Sequence, residues 1–422
     1  MRTSSKIFLD THVVGFAARL LNLLVIPLGK VLRLDHSLSH PFRTIAVCKY
    51  KGMGSIIQAT PLINTLRAQY PDARIVFVTS AENVQILKHI PGIDEVVSVN
   101  DRSFSTLLFS ILPFLRRLIG LRIDVYLDLE VYSNFSTLVS VLSMARNRMG
   151  FYLNSKHYRL GNYTHMMYYN TRSAISDTYL QFARMLNCAD VKPRLTLLDT
   201  GIRTLEYGGE HIDLASARYI VVNPNASDLR IERRWPAEKY RELIRWLMTA
   251  YPDHRIMLIG SGGEKAYVQE VLEPLQAPPE QVFSLAGSTR IPELIAVIKH
   301  ASLFITNDSG PMHISFATQT PVIALFGPCS PSQYGVNENC YPIYENLYCS
   351  PCVHEFVQPP CGGNNLCMKM IAEDKVKLYV KRILETRENP VSTPAEILFK
   401  VGPVTVGRLD RTQARLPAAP EP

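Results

Sequence analysis

The chain has 422 residues, 47% of them hydrophobic, with 45 Lys plus Arg against 37 Asp plus Glu and a formal charge of +8. That length exceeds what one core usually holds and fits two α/β domains of ordinary size. The positive charge is scattered, and without a zinc-finger spacing, an RRM signature or a basic helical stripe it points to anionic ligands or an anionic membrane, not to nucleic acid.

Residues 13–34, VVGFAARLLNLLVIPLGKVLRL, are apolar but interrupted by Arg19, Asn22 and Pro27. The run lacks the clean ~20-residue span that a bilayer crossing needs. With Arg19, Lys30 and Arg33 beside a Leu/Val/Phe face, it is expected to lie on an anionic leaflet, a docked structural helix being the alternative. No small-residue cleavage site follows it.

Beyond Pro41, TIAVCKY (44–50) reads as a strand, KGMGS (51–55) as a turn, IIQATPLINTLRAQYP (56–71) as a helix stopped by Pro71, and ARIVFVTS (73–80) as the next strand. ENVQILKHI then reads as helix, EVVSV as strand, TLLFSILPFLRRLIGL as helix and IDVYLDLE (123–130) as strand. The alternation predicts a parallel sheet with crossover helices.

A turn-rich stretch at 190–217 marks the expected interdomain boundary. The pattern restarts with RYIVVNP (218–224), the helix AEKYRELIRWLMTAYP, the strand and glycine-rich turn HRIMLIGSGGE (254–264) and the helix IPELIAVIKHA. The expected organisation is a membrane-associating segment at 1–40, Rossmann-like domains at 41–200 and 215–387, and a proline-rich disordered tail at 388–422.

Within the second half, TNDSGPMHISFATQT (306–320) lies between two buried strands, 301–306 and 322–327. Ser309 is a natural N-cap, Pro311 suits the first turn, and Met312 to Thr318 complete about two helical turns. A helix starting at the carboxyl end of a strand aims its unpaired N–H groups into the ligand crevice of an α/β fold, where a phosphate fits. His313 would add a donor to that anion, unless a backbone carbonyl satisfies it.

Other loops narrow the chemistry. Gly52 and Gly54 give KGMGS the turn of a ligand loop, but Ile57 stands where a dinucleotide fingerprint needs its third glycine. GSGGEK at 260–265 lacks the spacing of a phosphate-cradling P-loop. Cys349, Cys352, Cys361 and Cys367 form a compact cluster compatible with zinc, paired disulfides or free thiols. Because it follows the βα repeats instead of ending a strand, it is expected to be structural and away from the chemistry.

Three segments in order, GSIIQATPLINTLRAQYPDARI (54–75), RRWPAEKY (233–240) and TNDSGPMHISFATQTPVIALFGPCSP (306–331), resemble heptosyltransferase-like glycosyltransferases, the last through the Asp-(Ser/Thr)-Gly-x-x-His segment and the following Phe-Gly-Pro. The likeness spans roughly 44–385. It implies a GT-B architecture, two Rossmann-like parallel-sheet domains facing a cleft, with the acceptor against the first and a nucleoside-diphosphate sugar in the second. It also implies that neither metal nor cofactor is needed. By the same resemblance Asp308, Ser309, Gly310 and His313 match donor-binding positions, and Arg233 stands where the family usually carries a lysine ahead of Trp-Pro. Asn225, Ser227 and Glu264 become contacts to phosphate or ribose, with loop or helix capping as the alternative.

One departure concerns the acceptor base. Directly after Gly54 the family carries an aspartate, and here Ser55 occupies that place; a lone serine hydroxyl is no general base near neutral pH. The two-residue period of IDVYLDLE puts Asp124, Tyr126, Asp128 and Glu130 on one face, so Glu130, with Asp128 behind it, is the substitute carboxylate expected at the crevice. Capping a turn, pairing with an arginine or imitating a metal-binding acidic pair are its alternatives. The resemblance thus implies an inverting, metal-independent transfer of a sugar, a heptose among the candidates, to a saccharide or lipid-linked acceptor on the inner face of a bacterial cytoplasmic membrane. A nucleotide-sugar epimerase on the same architecture and an inactive sugar-nucleotide-binding scaffold are the rivals.

Overall fold

The computed structural model describes residues 8–31, 35–39, 41–226, 230–335, 337–353 and 359–388. The tail expected beyond residue 388 falls outside them.

A helix, α1 (Gly15–Val31), runs on from a π-turn at Asp10–Val14. With that turn it spans 22 residues of mean hydropathy 1.6, long and apolar enough by length and composition to cross a membrane, so Arg19 and Pro27 do not by themselves exclude a span. Its inner side is nonetheless fastened to the protein. Asp10 accepts from the backbone N–H of Asn134 and Phe135 at 3.0 and 2.7 Å, and the Ala18 carbonyl accepts from Asn162 Nδ2 at 3.0 Å. Phe16, Leu20, Leu23, Leu24 and Leu28 stay exposed on its other side.

The first domain is a six-stranded parallel sheet of order β3-β2-β1-β4-β5-β6. In chain order these are β1 (Thr44–Cys48), β2 (Arg74–Ser80), β3 (Glu95–Val99), β4 (Val125–Asp128), β5 (Asn147–Tyr152) and β6 (His165–Tyr168). Ile45 and Val47 of β1 enter one apolar cluster while Ala46 and Cys48 enter the one on the opposite face. Burial on both faces is why this strand reads as a continuous apolar run. Two short helices follow β1, α2 (Met53–Ile57) and α3 (Thr60–Gln69), where one long helix was expected. The crossover helix α4 (Phe104–Gly120) keeps Pro113 inside it. Like α1 it presents an apolar ridge to solvent, with Phe104, Leu108, Phe109 and Leu112 exposed.

At the expected boundary the chain makes an antiparallel hairpin, β7 (Thr204–Tyr207) with β8 (Glu210–Asp213), which the turn-rich sequence did not suggest. The second sheet repeats the first, with order β11-β10-β9-β12-β13-β14. In chain order these are β9 (Tyr219–Asn223), β10 (Arg255–Leu258), β11 (Val282–Ser284), β12 (Leu303–Asn307), β13 (Val322–Phe326) and β14 (Cys340–Tyr344), the central β9 and β12 pairing in parallel from Ile220 opposite Leu303. The helix α5 (Gly310–Thr318) follows β12 at once. An apolar cluster runs from Ile45, Val47 and Ile57 of the first domain through Leu195 and Leu205 to Val221, Met312 and Phe316 of the second. That continuity sets the two sheets' carboxyl ends against a common cleft.

Candidate functional site

All five residues of β12 are buried, so the chain leaves the sheet at a fixed point and Asp308 and Ser309 emerge at its carboxyl end. Ser309 is the N-cap of α5 by its extended backbone, yet its side chain makes no capping bond. Its hydroxyl instead accepts from Asn223 Nδ2 at 2.9 Å. The first-turn N–H groups of α5 are therefore left without the side-chain acceptor that a Ser cap ordinarily supplies, which is the condition for an anion to bind there.

Beside them lies Arg233. Its Nη1 is 3.5 Å from Asp308 Oδ2. Asp308 is buried, and both its Oδ2 and Arg233 Nε lack a hydrogen-bond partner. Burial works against the guanidinium charge, but the Asp308 carboxylate more than offsets it and the arginine pKa is raised. The neighbouring Arg234 turns elsewhere and stacks on Tyr267 at 4.0 Å from the ring centroid. Only the fold distinguishes these two adjacent arginines.

Asn307 fixes the loop that carries them. Its Oδ1 accepts from Trp235 N at 3.1 Å and Tyr240 Oη at 2.9 Å, and its Nδ2 donates to the carbonyls of Pro224 and Asn225. Sequence reasoning passed over this residue, although an asparagine closing an otherwise apolar buried strand was the available signal.

A cleft of about 430 Å³ opens beside the start of α5, walled by Ile259, Ile291 and Leu294, with Ser309 and Gly310 at one end and Met53 reaching in from the first domain. Asn225 and Glu264 line it too. Asn225 is buried and braces two loops, donating to Asn223 Oδ1 at 3.0 Å and to the Ile259 carbonyl at 2.8 Å, while its Oδ1 has no partner. Glu264 takes the alternative role weighed for it: its Oε2 accepts from Ser261 N and Oγ at 2.7 and 2.8 Å in a capping box. Ser227 lies outside the described residues.

His313 sits in the first turn of α5, buried, at the junction of the two domains. Its Nδ1 is 3.0 Å from Gln58 Nε2, a residue that sequence reasoning had not singled out. Burial chiefly, and then Arg233, pull its pKa down to about 4. The ring is therefore neutral near pH 7, Gln58 donates to Nδ1, and Nε2 keeps the proton. The ring rests on Gly54, where a Cβ would come within 2.2 Å of His313 Cδ2. Gly54 thus serves close approach across the cleft, whereas Gly52 serves the turn, at φ +88°.

The acceptor loop follows β1. Glu130 is buried, and its carboxylate accepts from Lys49 Nζ at 2.9 Å, Tyr50 N at 2.8 Å and Lys51 N at 3.0 Å. Desolvation alone would raise its pKa, but Lys49 and the two amides outweigh that and lower it. A carboxylate so held is ionised and engaged in clamping the loop, unlike the free acceptor base expected from the sequence. Asp128 is fully buried, bonded by the Tyr163 hydroxyl and 3.4 Å from Arg159 Nη2. It braces the β4 end through Glu130 N and cannot touch an acceptor. Ser55 shares a hydrogen bond with the buried phenol of Tyr179. Among the described residues no group of three or more His, Cys, Asp or Glu side chains is arranged to hold a metal ion as it stands.

Comparison with known proteins adds to this geometry. The profile of glycosyltransferase family 9 (heptosyltransferase) matches residues 112–359. Lipopolysaccharide heptosyltransferase 3 of Escherichia coli K12 is 27% identical over 286 residues, 65% of this chain and 79% of that protein. Lipooligosaccharide heptosyltransferase 2 of Campylobacter jejuni serotype O:2 is 25% identical over 337 residues, 79% and 96% of the respective chains. Among solved structures, E. coli ADP-heptose LPS heptosyltransferase II superposes with a TM-score of 0.64 at 20% identity, covering 82% of this chain and 99% of its own, a likeness of fold.

Proposed function

Because the chain belongs to glycosyltransferase family 9 and is a glycosyltransferase of the heptosyltransferase family, we propose that it moves a heptose from an ADP-activated donor to a saccharide or lipid-linked acceptor in the assembly of the lipopolysaccharide core. The observation that carries this reading is the Arg233–Asp308 ion pair, whose Nε and Oδ2 have no hydrogen-bond partner, at the uncapped start of α5 beside the 430 Å³ cleft. The diphosphate lies over Ser309 and Gly310, bound by N–H groups and neutralised by Arg233. The nucleoside extends between Ile259 and Ile291, near Asn225 and Glu264.

On this reading the leaving group is stabilised by fixed donors and a cation, so the transfer calls for no metal. His313 presents its Nε2 proton toward the junction where donor and acceptor meet. The acceptor approaches from the Gly52–Ser55 loop, opposite the diphosphate, which is the geometry of a single displacement with inversion. Glu130 and Asp128 act as positioning residues: one holds the loop, the other holds the first. Ser55 contributes a hydrogen bond to the acceptor.

The exposed ridges of α1 and α4 on this first domain, with Arg19 and Lys30 on α1, suit an anionic membrane surface. We assign the protein to the inner face of the cytoplasmic membrane, held by its surface and not by a span, since the other side of α1 is docked on the domain.

A donor screen tests the reading. ADP-heptose should bind and release ADP only when a core-type acceptor is added, with the anomeric configuration inverted in the product. Inversion of the sugar without acceptor would make the chain an epimerase, and binding without any turnover would overturn the transfer.

A further inference from the structure

The four cysteines set aside by the sequence analysis meet in the fold. Cys349, Cys352, Cys361 and Cys367 all line one cavity of about 250 Å³, formed between the turns after β14 (Cys340–Tyr344) and the short helix α6 (Leu366–Lys369). None of the four is in a disulfide. After Cys361 the chain turns through Gly362 and Gly363, at φ +59° and +86°, and returns to the cavity wall at Asn364 and Asn365. Four cysteines around one cavity, in C-x2-C and C-x5-C pairs, supply the sulfur donor set of a tetrahedral metal site.

The cavity also adjoins the donor loop. Cys352 N and Val353 N both donate to the Pro328 carbonyl at 3.0 Å. Asn365 Nδ2 donates to the Arg234 carbonyl at 3.2 Å, and Arg230 Nη2 to the Val353 carbonyl at 3.2 Å. Glu232, next to Arg233, lines the cavity itself. The segment lines a different cavity from the donor cleft and buttresses the loop that carries Arg233.

We propose that Cys349, Cys352, Cys361 and Cys367 bind one thiophilic divalent metal ion, zinc or ferrous iron, as a tetrathiolate that locks the 230–235 loop. The thiols line the cavity without yet converging at ligand distance, so binding draws the 349–352 and 361–367 turns together to sulfur–metal separations of about 2.3 Å. Four sulfur–metal bonds form, and protons leave whichever ligands were thiols. The role is structural, distinct from the transfer chemistry, and independent of which sugar is moved.

The test uses the full chain, purified under reducing conditions. Elemental analysis should find one zinc or iron per chain, the element itself distinguishing the two, and Cys361→Ser and Cys367→Ser should lose it. Stripping the wild-type protein with a chelator should lower its melting temperature and weaken ADP binding about tenfold, both restored by the metal. The chelation arm holds even if the serine variants fail to fold. Metal-free protein with four titratable thiols, or with disulfides among these cysteines by mass spectrometry, would overturn the proposal.

Discussion

His313 and Gln58 join the two domains directly: the histidine Nδ1 lies 3.0 Å from the glutamine Nε2, and the ring packs on Gly54. A residue of the donor-side helix therefore reports on the acceptor-side loop. Gly54→Ala should lower turnover at least roughly tenfold by forcing the ring away, an overpacking cost of about 1–3 kcal/mol. His313→Ala removes the clash but also the bond, so the double variant should be less impaired than the sum of the singles. Additive losses in that cycle would mean that the two residues do not meet in the working enzyme.

The same ring sets a pH dependence. Its pKa falls from 6.5 to about 4 in the folded protein, so between those values the unfolded chain binds more protons than the folded one. Stability from this group is complete above about pH 6.5 and drains as pH falls toward 4, by ~3 kcal/mol at most. Urea titrations at pH 7.5, 6 and 5 should show the decline, and His313→Gln should flatten it. An unchanged slope in that variant would assign the acid sensitivity to other groups.

Arg233→Ala should weaken ADP binding by roughly 1.5–3 kcal/mol, more than an order of magnitude in Kd, while Arg233→Lys should retain part of it. Arg234→Ala, which only removes stacking on Tyr267, should cost far less. Isothermal titration separates them, and equal losses would remove Arg233 from the diphosphate site.

Glu130→Gln leaves Lys49 buried beside a neutral partner and should cost about 3–5 kcal/mol of stability. Turnover should fall with the loop, yet the acidic limb of the rate profile should stay where it is. Were that limb to vanish with the melting temperature unchanged, Glu130 would be the base after all.

Charging the outer side of α1, as in Leu23→Glu with Leu24→Glu, should move the protein from the membrane pellet to the supernatant. Activity on a soluble, delipidated acceptor should be unaffected. Retention in the pellet after carbonate extraction would point instead to a true span.

The local pattern of apolar runs and turns was enough to locate β1, β2, β3, β4, β9, β10, β12 and β13, because buried parallel strands are continuous apolar segments bounded by turn residues, whereas β5, β6, β11 and β14 were passed over; Ser309–Gly310 was legible as a helix start for the same local reason. What stayed hidden depends on distance along the chain. Lys49 and Glu130 are 81 residues apart, and nothing in IDVYLDLE announces that a lysine will occupy its last carboxylate. Gln58 and His313 are separated by 255 residues, and which of Arg233 and Arg234 pairs with Asp308 is decided only where Asn307 grips Trp235. Charge, protonation and reach are properties of what surrounds a group after burial, so the sequence determined the scaffold and the residue types at the crevice, and only the tertiary structure decided which of those residues are free to act.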